Sequence, residues 1–140
     1  MGIDVGGSGF RIGVFDTMSG ELIGPLHQHR HGASTGPADV LDAILEAIER
    51  LQWEGPIGLG FPGAVEANRP ITAPNLGEEW VDVDVSKHLM ASHGGRFAML
   101  NDADAVALAE AQHGVGHGGA ACVLTLTIGT GLGTSVHRDG

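Results

Sequence analysis

At 140 residues with 42% apolar side chains, the chain is long enough to bury one core and fits a folded domain. A net charge of −10, from seventeen acids against seven scattered lysines and arginines, excludes an extended basic surface for nucleic acid. No apolar run approaches the length of a membrane span and no basic-then-apolar leader opens the chain, so the expected setting is cytoplasmic, without a membrane partner.

Residues 2–6 and 10–16 (FRIGVFD) are short, rich in Ile, Val and Phe, and separated by glycines and a serine, the pattern of a β-hairpin. A third strand is expected over 21–30, ELIGPLHQHR. After Gly36 and Pro37 the period changes: Val40, Leu41, Ile44, Leu45, Ile48 and Leu51 recur at helical spacing, opposite Asp42, Glu46, Glu49 and Arg50. Pro37 suits the first helical turn, and Ser34 or Thr35 is the expected cap. PIGLGFPG over 56–63 reads as a buried strand ending in a turn, and a looser region follows over 64–85. Within it, Asp82 and Asp84 alternate with Val81, Val83 and Val85, as in a half-buried edge strand. Next come a short helix over 86–92, a strand over 96–100 (RFAML), and an alanine-rich helix from NDADAVALAEAQHG that stops near Gly114. GVGHGGA reads as a linker, and ACVLTLTIGTGLGTSVHRDG as a strand, a Gly/Thr turn and a strand. Strands alternating with helices imply an α/β fold with a mixed sheet, whose ligands sit beyond the carboxyl ends of the strands.

Glycine is the compositional outlier, at 24 residues. Two turns concentrate it: Asp4-Val-Gly6-Gly7-Ser8-Gly9 near one end and residues 127–134, TIGTGLGT, near the other. Small side chains let successive backbone N–H groups converge on an anion, and Ser8, Thr130 and Thr134 add hydroxyl donors, so each turn is a candidate phosphate clamp. Neither is a Walker loop, since no Gly-Lys-Ser/Thr follows, and neither is GxGxxG between strand and helix. A glycine turn taken alone needs no ligand. Two of them, with an acid at a strand end, favour the anion reading, and Asp4 then suits a Mg²⁺ held through water.

Other features carry less. His27, His29 and His31 share one strand face and are candidate metal ligands, although an exposed polar face explains them as simply. His113 and His117 suit the negative end of a helix. Trp53 reads as packing, and Trp80, five residues after Asn75, is a candidate to line a substrate entrance, although packing explains it as simply. Cys122, the single cysteine, lies in an apolar run; it excludes an internal disulfide and is expected to be buried.

Five segments in order, DVGGSGFRIGV, GFPGAV, ITAPNLGEEW, MLNDADAVALAE and LTIGTGLGTSV, resemble the N-terminal half of a ROK-family sugar kinase, within the actin- and hexokinase-like ATPase superfamily. WEGPIGLGFPG, the TAPN segment with its following Trp, and NDAD, with Asp104, are most similar to the polyphosphate/ATP glucokinase branch. The resemblance implies a ribonuclease H-like (actin-like ATPase) lobe with a mixed five-stranded sheet over 1–117, then a linker and the first hairpin of a second lobe over 118–140. It implies that Gly6, Gly7, Ser8 and Gly9 form the first phosphate motif and Gly129, Thr130, Gly131 and Gly133 the second. Gly63, Asn75, Asn101 and Asp102 match positions that bind the sugar, and Asp102 matches the catalytic base. The implied partners are a hexose, glucose first, and ATP or polyphosphate as phosphoryl donor with Mg²⁺.

Chemistry gives the Asp102 assignment its own sense, because phosphoryl transfer to a sugar hydroxyl needs an acceptor for the hydroxyl proton. Asn75 and Asn101 offer both donor and acceptor atoms to sugar hydroxyls. An Asn-Asp pair ahead of a helix also serves as a cap, and Asp104 in the first turn suits the macrodipole as well as a metal. The family's second half supplies a Glu, a Gly-His segment and most of the nucleotide lobe, so this stretch alone is expected to be inactive, with uncovered apolar surface that favours a homo-oligomer. The same resemblance extends to sugar-responsive regulators, which add an N-terminal helix-turn-helix, and it also allows a non-catalytic sugar-binding fragment.

Overall fold

The computed structural model describes residues 1–32, 35–91, 94–118, 122–128 and 132–138. Its main sheet has five strands: β1 (Gly2–Gly6), β2 (Gly9–Phe15), β3 (Leu22–Arg30), β4 (Ile57–Phe61) and, after two short intervening strands, β7 (Phe97–Asn101). They lie in the order β3-β2-β1-β4-β7, with β1–β2 and β2–β3 antiparallel and β1–β4 and β4–β7 parallel. Each parallel step is spanned by a helical connection, α1 (Pro37–Arg50) for the first and α2 (Val85–Met90) for the second. A small hairpin, β5 (Val65–Glu66) with β6 (Arg69–Pro70), follows β4.

The period of two along the strands sorts the sheet into two unlike faces. Ile3 and Val5, Phe10 and Ile12, Ile57, Leu59 and Phe61, and Met99 form one face and are buried. Val40, Leu41, Ile44 and Ile48 of α1 and Val85 and Leu89 of α2 close over it as the core. Each such side chain removed from water stabilises the fold by about 1.5–3 kcal/mol before entropy is counted. The opposite face is built from what these strands place between their apolar residues. One row across it runs Gly13, Gly2, Gly58, Ala98; the next runs Gln28, Arg11, Asp4, Gly60, Leu100. A face with so few side chains leaves an open floor, and α3 (Asp102–His113) stands over one side of it.

The last hairpin, β8 (Cys122–Ile128) with β9 (Leu132–Arg138), forms a separate two-stranded sheet that packs on α3. Its polar face, with Thr125, Thr127, Gly133 and Ser135, is the half-buried one. Leu124, Leu126, Ile128, Leu132 and Val136 face outward and are exposed, as is Cys122, against the expectation of a buried thiol. The reason is strand parity: Cys122 shares the outward face with Leu124 and Leu126.

Four local readings are decided by the structure. The N-cap of α1 is Gly36, which gives no side-chain bond; Thr35 does not cap, and Ser34 lies outside the described residues. Residues 81–85 are not a strand, because Asp82 adopts a left-handed φ of 61° and Asp84 caps α2, accepting from the Lys87 N–H at 2.9 Å. Trp80 is buried at 1% exposure against Phe61, ring centroids 5.4 Å apart, so it belongs to the core rather than to an entrance. His27 and His29 sit opposite Ile12 and Phe10, and His29 stacks on Phe10 at 4.8 Å, so they shield the core edge; no three-ligand metal cluster exists among the described residues. Among those residues no helix is long and apolar enough to cross a membrane.

Candidate active site

The carboxyl ends of β1, β4 and β7 point the same way, and the chain turns sharply after each. At β7, Asn101 ends the strand and caps α3. Its Oδ1 accepts from the Ala103 N–H at 3.0 Å and the Asp104 N–H at 3.2 Å, and its Nδ2 donates to the Gly63 carbonyl at 3.0 Å. One side chain thus satisfies two orphan amides of the helix and ties the turn after β4 to it. The cap reading of Asn101 holds, and it coexists with a position on the cleft. Replacing Asn101 with Ala is expected to cost about 2 kcal/mol, one cap plus one further bond. Denaturant unfolding checks it, with Asn101→Asp recovering the capping share but not the Gly63 bond.

Asp102 follows in the first turn of α3. Its Oδ1 accepts from the Ala103 N–H at 2.8 Å, and its Oδ2 has no partner among the described residues. A cleft of about 470 Å³ brings Asp102 together with Gly63, Asn75, Asn101 and Gly133, with Pro62, Pro74 and Thr127 along its walls. Every position expected to hold the sugar is therefore in one place. Gly133 reaches it because it has no side chain: a Cβ there would lie 2.8 Å from the Ala103 Cβ and 2.3 Å from the Thr127 Oγ1. Gly129, Thr130 and Gly131 lie outside the described residues. Thr134 does not line the cleft, because it pairs with Leu126 on the outward face; Thr127, opposite Gly133, takes the inward place.

The first glycine turn closes with Gly6 opposite Gly9, leaving Gly7 and Ser8 at the tip. Two of its glycines are required by close approach. A Cβ on Gly7 would lie 2.8 Å from the Asn75 carbonyl oxygen, and one on Gly9 would lie 2.1 Å from that of His29. The turn is thereby pressed against the segment that carries Asn75. Gly6, Ser8 and Gly9 line a second cleft of about 410 Å³ with Asp4, Arg11, Gln28 and Arg30.

Asp4 and Asp102 both border a third, larger cleft over the glycine-rich floor, so one acid of the first glycine turn's cleft and one of the sugar-type cleft meet there. Between the two acids stands Gly60, which was not among the expected site positions. A Cβ at Gly60 would lie 3.8 Å from the Asp102 Cα and 3.9 Å from the Asp4 Oδ1. The signal for it was the alternation of glycines in PIGLGFPG, which strips one strand face of side chains. Asp4 is not a free carboxylate: Arg11 donates to its Oδ2 from Nη2 at 2.6 Å and from Nε at 3.1 Å. Oδ1 remains for a ligand, and one carboxylate oxygen with water and phosphate fits Mg²⁺, which keeps most of its waters.

Comparisons with known proteins place the chain in a family. The model of the ROK family matches residues 1–140. This chain belongs to the ROK family. Among its relatives, the polyphosphate glucokinase of Mycobacterium tuberculosis is 37% identical over 140 residues, which are 99% of this chain and 53% of that protein. The solved structure of the inorganic polyphosphate/ATP-glucomannokinase from Arthrobacter sp. superposes with a TM-score of 0.87 at 32% identity, over 99% of this chain and 57% of that one. A ROK family glucokinase from Streptomyces griseus, solved in complex with glucose and AMPPNP, gives a TM-score of 0.79 at 26% identity, covering 96% of this chain and 43% of that one. The fold of this ROK chain is thus the actin-like ATPase lobe of these kinases, and it spans about half the length of the relatives it matches.

Proposed function

We propose that this chain is the first lobe of a hexose kinase of the glucokinase type, transferring a phosphoryl group from ATP or polyphosphate to the 6-hydroxyl of glucose. The observation that carries the reading is the position of Asp102: one oxygen is fixed by its own helix, the other has no partner among the described residues, and the residue borders both the Gly63–Asn75–Asn101 cleft and the cleft shared with Asp4. The names of the relatives, polyphosphate glucokinase and glucomannokinase, support the substrate class.

In the proposed step the sugar O6 attacks the terminal phosphorus, the bridging P–O bond breaks, and the pair of electrons leaves with ADP or with the shortened polyphosphate. The O6 proton passes to Oδ2 of Asp102, whose Oδ1 bond to Ala103 keeps the carboxylate aimed. Asn75 offers donor and acceptor atoms, and the second Nδ2 hydrogen of Asn101, whose amide Gly63 already orients, offers a donor, to hold the hydroxyls. The amides of the Gly6–Gly9 turn hold the donor's terminal phosphates, and Ser8 adds a hydroxyl. A Mg²⁺ near Asp4, through water, would neutralise charge on those phosphates. Arg11 keeps the Asp4 carboxylate in place for it.

The exposed Leu124, Leu126, Ile128, Leu132 and Val136 support reading residues 118–140 as a linker and the first hairpin of a second lobe, which would cover that face. Turnover of glucose to glucose 6-phosphate by the full-length protein, assayed with ATP and with polyphosphate, tests the proposal. Formation of the product with at least one donor is expected; none with either removes the kinase reading.

A further inference from the structure

The seven basic residues look scattered along the sequence, yet the fold gathers two of them, Arg11 and Arg30, in the cleft beside the first glycine turn. Register explains it. Arg30 sits directly opposite Gly9, and Gln28 directly opposite Arg11, so all four are on the glycine-rich face of β2 and β3. Arg11 is held by Asp4, but no carboxylate pairs with Arg30 among the described residues. Among the described residues Asp4 is the only acid lining this cleft, so its formal balance there is two cations against one anion, on a chain whose total is −10. A local positive spot on an acidic molecule attracts anions and little else.

The cleft is also open at one end. β3 is the edge strand of the sheet, exposed along its whole length, so nothing in the sheet closes the depression beyond Arg30. Gly6 and Arg30 are separated by two strand spacings, roughly 10 Å. A ligand whose terminal phosphate sits at the glycine turn and whose body is a further run of phosphates has somewhere to go.

We infer that Arg30 and Gln28, with Arg11, form a distal subsite for a linear inorganic polyphosphate, holding phosphate units beyond those engaged by the Gly6–Gly9 turn. The inference deepens the kinase reading above and rests on it for the direction of the chain. Arg30 supplies a planar guanidinium to two oxygens of one phosphate unit, and Gln28 supplies an amide donor two residues along the strand on the same face. A nucleotide triphosphate has no units left to place there, so the subsite discriminates between donors.

The test is Arg30→Gln in the full-length protein, with Arg50→Gln, on α1 over the other face of the sheet, as a control of equal charge change. For Arg30→Gln, the KM for long-chain polyphosphate is expected to rise about fivefold, the loss of one exposed charge-assisted contact, with the KM for ATP and kcat unchanged. Gln28→Ala is expected to shift the same parameter in the same direction by less. Equal rises for both donors would place Arg30 on the phosphates the donors share and overturn a distal subsite. An unchanged KM for polyphosphate, or the same shift from Arg50→Gln, would also overturn it. Direct titration of long-chain polyphosphate and of tripolyphosphate into the same proteins separates this from the kinase reading. Weaker binding of the long chain alone by Arg30→Gln is expected even if glucose is not the acceptor, and equal binding by parent and variant defeats the subsite whatever the acceptor.

Discussion

Asp102→Asn is expected to lower kcat for glucose phosphorylation by about 10²–10⁴-fold, the share a positioned general base contributes, while leaving the KM for glucose and the fold nearly unchanged. Asparagine is the informative replacement because its Oδ1 keeps the bond from the Ala103 N–H at 2.8 Å, the one hydrogen bond the carboxylate makes among the described residues. The helix start is then intact, and only the proton acceptor is lost. Burial adds little to the effect: Asp102 is part-exposed, so removing its charge leaves no unpaired group in the core. The loss should therefore appear in kcat alone, in a steady-state assay against glucose at saturating donor. A kcat within about tenfold of the parent would move the base elsewhere, and a collapse in thermal stability would show that Asp102 is a helix-start residue first.

Much of this arrangement was legible in the sequence because it rests on period. Val40 to Ile48 and the alternating strands each announce one buried stripe, and the structure buries those stripes. The sugar-type positions were legible through the resemblance to ROK-family kinases rather than through period, and Gly63, Asn75, Asn101 and Asp102 line one cleft. What period could not settle was which of two alternating sets faces inward. In β8 and β9 the apolar set is the natural inward choice, and it is the outward one here, since α3 takes Thr127 and Gly133 and leaves Leu126 and Thr134 outside. Thr134 and Cys122 were misplaced together by that single parity. Residues 81–85 failed by another route: alternating valines imitate a strand, but a left-handed Asp82 and the capping side chain of Asp84 turn the chain instead. Arg11 and Arg30 show the same limit, because only strand register makes neighbours of residues nineteen apart.

Gly63→Ala is expected to destabilise the chain by about 3 kcal/mol, at the upper end for one added methyl, and to reduce turnover in whatever remains folded. The glycine is not there for its backbone freedom, since its φ is outside the left-handed region; it is there because a Cβ would lie 2.0 Å from the Thr72 carbonyl oxygen and 2.9 Å from its carbon. Backbone cannot yield as a flexible side chain would. Thr72 is itself pinned, its Oγ1 accepting from the Ala64 N–H at 2.9 Å while the adjacent Ile71 N–H donates to the Ala64 carbonyl at 2.8 Å. Separating the two segments by the required ångström or more displaces the Gly63 carbonyl from the Asn101 Nδ2, and with it the cap that sets the start of α3 and the position of Asp102. Stability and catalysis should therefore fall together, read as a lower denaturation midpoint and a lower kcat in one preparation. Gly60→Ala provides the contrast: its Cβ would meet the Asp102 Cα and the Asp4 Oδ1 at 3.8 and 3.9 Å, ordinary contact distances, so its midpoint should stay near that of the parent. If Gly63→Ala matched Gly60→Ala in stability, the turn after β4 would be free to move, and the link from Gly63 through Asn101 to Asp102 would not be the strut that places the base.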